Sequence, residues 1–177
     1  MIFNRLFYKI FTLPYLMRDA AAEFQKDNYL QAINIYLKVI QTYPDYYDAH
    51  LWAGAAYSAM DQNTLASEFY KKAIEINIKG FDAYYNFSQL ELKQNKYQNS
   101  LELIIQAIKY TPFKAEIFSN LYYRKGLLEY YLYNYQDALN SFNKSLEYSP
   151  GNKNAENGKT IAAEGILSEY KIEIGKE

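Results

Sequence analysis

The sequence contains no cysteine. Disulfides, thiolate catalysis and zinc sites with cysteine ligands are therefore excluded. Glycine and proline are scarce, with 7 and 4 in 177 residues, which favours long helices over a turn-rich β fold. There is one histidine, His50, and one tryptophan, Trp52. A histidine-dependent nucleophilic triad would have to centre on His50, and neither a glycine-rich phosphate loop nor metal-ligand spacing accompanies it. Long apolar runs are also missing. The longest stretch without formal charge, residues 49–60, is 12 residues long, short of the roughly 18–20 needed to span a bilayer. Excess positive charge is absent as well: the net charge is −1 and the pI about 5.9, which argues against nucleic acid as a partner. The expectation is a chain that is not an enzyme, with no catalytic residue, no metal and no cofactor.

Half of the residues are hydrophobic and 22% are charged, so the chain can bury a core. Three of the four prolines, Pro44, Pro112 and Pro150, mark a period. The first two are 68 residues apart, twice 34, and the next interval is 38, which is 34 plus about one helical turn. Four units follow, residues 13–46, 47–80, 81–114 and 119–152. Each splits into two helical patterns at a polar break: Lys26-Asp27-Asn28, Asp61-Gln62-Asn63, Gln94-Asn95-Lys96 and Tyr133-Asn134. Asp and Asn tolerate the left-handed conformation that a tight inter-helix turn requires. The four extra residues 115–118 predict one added turn in the first helix of the fourth unit, from about Lys114 to Tyr133.

Small residues recur at the eighth position of the units (Ala20, Gly54, Ser88, Gly126) and at the twentieth (Ala32, Ala66, Ser100, Ala138). A bulky knob follows at the twenty-fourth (Tyr36, Tyr70, Ile104, Phe142), then Val39, Ala73, Ala107 or Ser145 at the twenty-seventh. Small residues let two helix axes approach, and the knob fills the space beside them. In this pattern residues 13–152 resemble the tetratricopeptide repeat family. Ile78 replaces the family's proline in the second unit, and Glu23, Glu91 and Glu129 replace its eleventh-position tyrosine, kept only as Tyr57. The resemblance implies an all-α solenoid of four antiparallel helix pairs.

The two ends stand outside the repeats. Residues 1–18 carry three basic residues, no acidic one and many large apolar side chains. They admit three readings: a secretory signal, a helix lying on a membrane surface, or a helix packing on the first repeat or a second subunit. Residues 1–12 form an apolar and basic N-terminal helix in this scheme. Residues 153–177 show one apolar stripe, Ile161, Ala162, Ile166, Tyr170 and Ile174, and are expected to form a single capping helix.

The resemblance also implies where a partner would bind. First helices line the concave side of such an array, and the family's groove positions fall here on Leu51, Trp52, Tyr85, Asn86, Gln89, Tyr123, Arg124, Leu127 and Tyr130. Further groove positions include Met17, Ala21, Phe24, Ala55, Ser58, Lys93 and Tyr131. Aromatic anchors with a few polar groups suit an extended or helical peptide. Some relatives clamp a C-terminal carboxylate with Lys, Asn and Arg. Asn86 and Arg124 match that clamp, whereas Leu51, Ala55 and Asn120 do not. The expected function is a protein-interaction scaffold or adaptor with a protein or peptide partner. The alternative is a self-associating homo-oligomer or membrane-tethered assembly factor acting through residues 1–18. The expected location is cytoplasmic.

Overall fold

The computed structural model describes residues 12–112 and 114–174. Among them are nine helices and no strand. They pair as α1 (Leu13–Gln25) with α2 (Tyr29–Thr42), α3 (Tyr47–Ala59) with α4 (Asn63–Ile76), α5 (Phe81–Lys93) with α6 (Tyr97–Tyr110), and α7 (Ala115–Tyr131) with α8 (Tyr135–Tyr148). The last helix is α9 (Lys153–Ile174). The chain is all-α, four helix pairs followed by a single helix. The N-terminal helix expected over residues 1–12 lies outside the described residues except for Thr12, which is the N-cap of α1.

The turn within each pair follows one recipe. Asp27, Asp61, Asn95 and Tyr133 take φ values of 60°, 58°, 57° and 64°. In each case the next N–H donates to the carbonyl five residues back: Asn28 to Glu23, Gln62 to Tyr57, Lys96 to Glu91 and Asn134 to Glu129, all at 2.9 Å. The left-handed residue itself donates to the carbonyl three before it, at 2.9–3.2 Å. This is the Schellman arrangement, which satisfies the last carbonyls of the first helix while reversing the chain.

The turn between pairs is different. Tyr46 N–H donates to the Tyr43 carbonyl at 3.1 Å, Gly80 to Asn77 at 3.0 Å and Asn152 to Ser149 at 3.1 Å. Each is a four-residue β-turn whose second residue is Pro44, Ile78 or Pro150. Proline there brings a φ already suited to the turn. Ile78 fills the place without that advantage and stays 61% exposed.

The chain divides into two compact units, residues 1–86 and 87–177. In the first, Tyr36 packs with Ala20, Ala32 and Ala53, and Phe24, Ile35, Ile40 and Phe69 close around them. A second cluster joins Leu13, Val39 and Ala49, with Leu16, Met17 and Tyr43 against it. The described part of residues 1–18 thus buries Leu13 and partly buries Leu16 and Met17 on the first repeat. In the second unit Phe142 packs with Ala138 and Ala162. The four knobs Tyr36, Tyr70, Ile104 and Phe142 are 0–2% exposed. Large-into-small packing is strict: a Cβ on Gly54 would come within 2.9 Å of the Tyr70 ring, and one on Gly126 within 2.8 Å of Phe142.

Helix α7 has 17 residues where α1, α3 and α5 have 13, so the four extra residues form helix rather than a longer loop. Helix α9 lies on α8 through a face of small residues. Ala155 and Ala162 are fully buried, and a Cβ on Gly158 would meet Phe142 at 2.4 Å. A Cβ on Gly165 would meet Tyr135 at 2.6 Å. The inward face is therefore 155, 158, 162 and 165. The sequence stripe shared only Ala162 with it, and Ile161 and Ile166 are half-buried at its flanks.

Candidate interaction surfaces

In the first unit the first helices place aromatic side chains at the surface. Trp52 on α3 is 41% exposed. Its ring stands edge-on to Phe24 of α1 at 5.9 Å, and Phe24 stands edge-on to Tyr29 at 5.2 Å. Phe24 also seals the Tyr36 cluster, so Trp52 rests on a ring that the core holds in place. Tyr85 and Asn86 on α5 are half-buried. Leu51 is a correction: at 3% exposed it serves the core and offers no surface to a partner. It is adjacent to Trp52 on a helix that is apolar nearly all round, where periodicity cannot separate the two faces.

In the second unit Arg124 of α7 donates from Nη1 to Gln89 Oε1 of α5 at 2.6 Å and from Nε to Asn120 Oδ1 at 2.9 Å. Gln89 Nε2 in turn donates to Ser88 Oγ at 3.3 Å. Two carboxamides thus orient the guanidinium across two first helices, and Lys93 is exposed on α5. Tyr123, Leu127 and Tyr130 are half-buried against the Ala138–Phe142–Ala162 cluster. Tyr123 lies 6.0 Å from the Phe142 ring. Each of these three spends part of its surface on the packing of α8 and α9 and keeps the remainder for solvent.

A run of tyrosines escaped the sequence reading. Tyr97 stacks on Tyr131 at 5.0 Å, Tyr131 meets Tyr130 at 6.1 Å, Tyr130 meets Tyr135 at 5.4 Å, and Tyr135 meets Tyr133 at 6.2 Å. Tyr131 and Tyr133 are 46% and 73% exposed. The available signal was a tyrosine opening three of the four second helices, Tyr29, Tyr97 and Tyr135. Two of them bond back to the turn: Tyr29 OH to Asp27 Oδ1 at 2.5 Å and Tyr97 OH to Asn95 Oδ1 at 3.1 Å. The Tyr29 hydroxyl is held above its ordinary pKa, chiefly by that bond to Asp27.

The eleventh-position glutamates are ties between paired helices. Glu23 accepts from Lys26 at 2.8 Å and from Asn28 at 2.7 Å, and those bonds hold its carboxyl below the usual range. Glu91, 4% exposed, accepts from Asn99 at 2.8 Å and faces Lys96 at 3.7 Å. Glu129, 5% exposed, pairs with Lys125 and accepts from Ser141. These carboxylates are committed to structure. His50 is buried, and its Nε2 lies 2.7 Å from the Pro44 carbonyl, to which it donates. Among the described residues no group of three or more His, Asp or Glu side chains converges on a metal position. No helix of the described residues is long and apolar enough to cross a membrane.

The family model described as "Tetratricopeptide repeat" matches residues 47–77 and 81–114. No curated protein matches the sequence. Among solved structures, a MamA protein superposes with a TM-score of 0.77 at 21% identity, covering 92% of this chain and 87% of that one. MamA from Desulfovibrio magneticus RS-1 gives 0.71 at 14% identity, covering 93% and 96%. YrrB, described as a TPR protein with an unusual peptide-binding site, gives 0.71 at 17% identity, covering 83% and 74%. At these identities the structures speak for the fold alone. Recurring knobs, shared turns and the superposition agree on a tetratricopeptide-type helix-pair fold, and within it residues 47–77 and 81–114 match the family model itself.

Proposed function

We propose that this chain is a binding scaffold that holds a protein or peptide segment on its first helices, and that it works in the cytoplasm. The observation that carries the reading is Trp52. A large apolar ring left 41% exposed, yet fixed edge-on against Phe24, is a preorganised anchor, the kind of residue that dominates protein interfaces. In the second unit the Arg124–Gln89–Asn120 group offers an oriented cation with amide partners. It suits a carboxylate or backbone carbonyls on the bound segment. That YrrB is described as having a peptide-binding site supports the same use of the fold.

The test compares proteins captured from the native cell by the wild type, Trp52→Ala and Arg124→Ala, with circular dichroism confirming each fold. Loss of a shared partner in both variants supports the scaffold reading, and retention of every partner in both overturns it. The alternative, self-association or membrane tethering through residues 1–18, has less apolar surface at its disposal than the sequence offered. Leu13 is buried, and Leu16 and Met17 pack on the first repeat.

A further inference from the structure

At three places a tyrosine ring of this chain carries one of the chain's own cations. Arg18 lies over Tyr15 at 5.0 Å, Lys109 over Tyr110 at 4.9 Å and Lys144 over Tyr148 at 5.6 Å. The negative face of the ring attracts the charge. The tyrosine run that crosses the fourth repeat is different. Among the described residues no Lys or Arg lies over Tyr97, Tyr130, Tyr131 or Tyr133. The sequence explains why: residues 126–143 hold four tyrosines, Glu129 and Asp137, and no basic residue. The nearest lysines along the chain are engaged elsewhere. Lys125 serves Glu129 and Ser141, and Lys96 faces Glu91 at 3.7 Å and donates to Gln94 at 3.0 Å.

The rings are held in place and flanked by negative charge. Tyr131 lies within 21° of parallel to Tyr97, whose hydroxyl is bonded to Asn95. Asp137 is exposed in the first turn of α8, four residues after Tyr133. On α9, exposed Glu164 precedes Gly165, where a Cβ would meet the Tyr135 ring at 2.6 Å. Among the described residues neither carboxylate forms an ion pair.

We propose that the surface around Tyr131 and Tyr133 docks an arginine-bearing segment of a partner protein, with the guanidinium against an open ring and Asp137 as its counter-ion. Charge complementarity selects a cation. Arginine suits the surface better than lysine because its planar head stacks on a ring, forks to a carboxylate and is more weakly hydrated. One exposed contact of this kind is weak, so the two rings and the carboxylate act together. The surface uses neither Trp52 nor Arg124, and its test is separate from theirs.

The probe is a short fluorescent peptide of alternating serine and arginine, titrated into the full-length protein and followed by anisotropy. Matched peptides carry lysine or the neutral isostere citrulline in place of arginine, and circular dichroism verifies each variant. Citrulline should weaken binding by at least about tenfold, and lysine by less. Tyr131→Leu and Tyr133→Asn should each weaken it about three- to fivefold, whereas Tyr131→Phe keeps most of the affinity because the ring remains. Asp137→Asn should cost about threefold, and Trp52→Ala should change nothing. Absence of binding, equal binding of the citrulline peptide, or unaltered binding in both Tyr131→Leu and Tyr133→Asn would overturn the proposal. Tighter binding of a polyproline peptide would overturn it in favour of proline recognition.

Discussion

Ser141 Oγ donates to Glu129 Oε2 at 2.5 Å, joining the two helices of the fourth repeat through a pair of buried side chains. The other Glu129 oxygen pairs with Lys125, whose Nζ also donates to Ser141 Oγ at 2.9 Å. Three polar groups are thus satisfied among themselves. Glu129→Ala strands a hydroxyl and an ammonium and should cost about 2–3 kcal/mol. Glu129→Gln should cost less, because its amide carbonyl still accepts from Ser141. Urea unfolding of both variants gives the order; equal losses would show that charge, not the hydrogen bond, carries the tie.

Tyr133 occupies a left-handed position, φ 64°, that Asp or Asn fills in the other three repeats. A bulky side chain is strained there, whereas Asn can bond locally and Gly has no Cβ. Tyr133 is 73% exposed and meets only the edge of Tyr135 in the ring run. Tyr133→Asn should therefore raise stability by about 0.5–1 kcal/mol. A rise in melting temperature checks this, and a fall would mean that the ring contact outweighs the strain.

Gly158 allows α9 to touch the Phe142 ring. In Gly158→Ala the added methyl meets a fully buried aromatic and should cost about 1–3 kcal/mol, even though alanine is the better helix former. The loss should be local to the C-terminal end. Limited proteolysis would show faster cleavage within α9, and Phe142→Leu should relieve part of the defect by removing the ring edge.

Burial pushes the Tyr36 and Tyr47 hydroxyls up to about 12 and raises Tyr70 as well, against an ordinary value of 10.0. A phenol with a raised folded-state pKa holds its proton more tightly in the folded chain. Its contribution is complete below pH 10 and is lost as the pH climbs towards 12. Denaturant midpoints should thus be flat near neutrality and fall above pH 10. Tyr47→Phe should soften that fall. It also removes the acceptor of the Ala83 N–H at 3.2 Å, a loss of about 1 kcal/mol.

The parts of the fold that could be read in the sequence are those that repeat. Ala20 and Gly54 betray the approach of two helices because Tyr36 and Tyr70 recur sixteen residues later, and Asp27, Asp61 and Asn95 betray the turn because few residue types accept its backbone. What could not be read lacks a second copy or a one-sided pattern. The small-residue face of α9 occurs once, so no recurrence marks Gly158 and Gly165 as contacts, and the apolar stripe points to Ile161 and Ile166 instead. Leu51 and Trp52 looked equivalent on a helix without a polar face, and only packing put one inside and the other out. The glutamates at the eleventh position appeared to be departures from the family, since no periodicity shows that Asn99 or Ser141 will arrive opposite them.

The solitary indole of Trp52 lies in the unit spanning residues 1–86. Its emission therefore follows that unit alone, whereas the far-ultraviolet signal averages helices from both. In a chain assembled from neighbour-to-neighbour contacts, cooperativity need not extend from end to end. Unfolding recorded by the two signals on one sample measures that extent directly. Superimposed curves mean that the repeats melt as one, and displaced curves give the free energy by which one half outlasts the other.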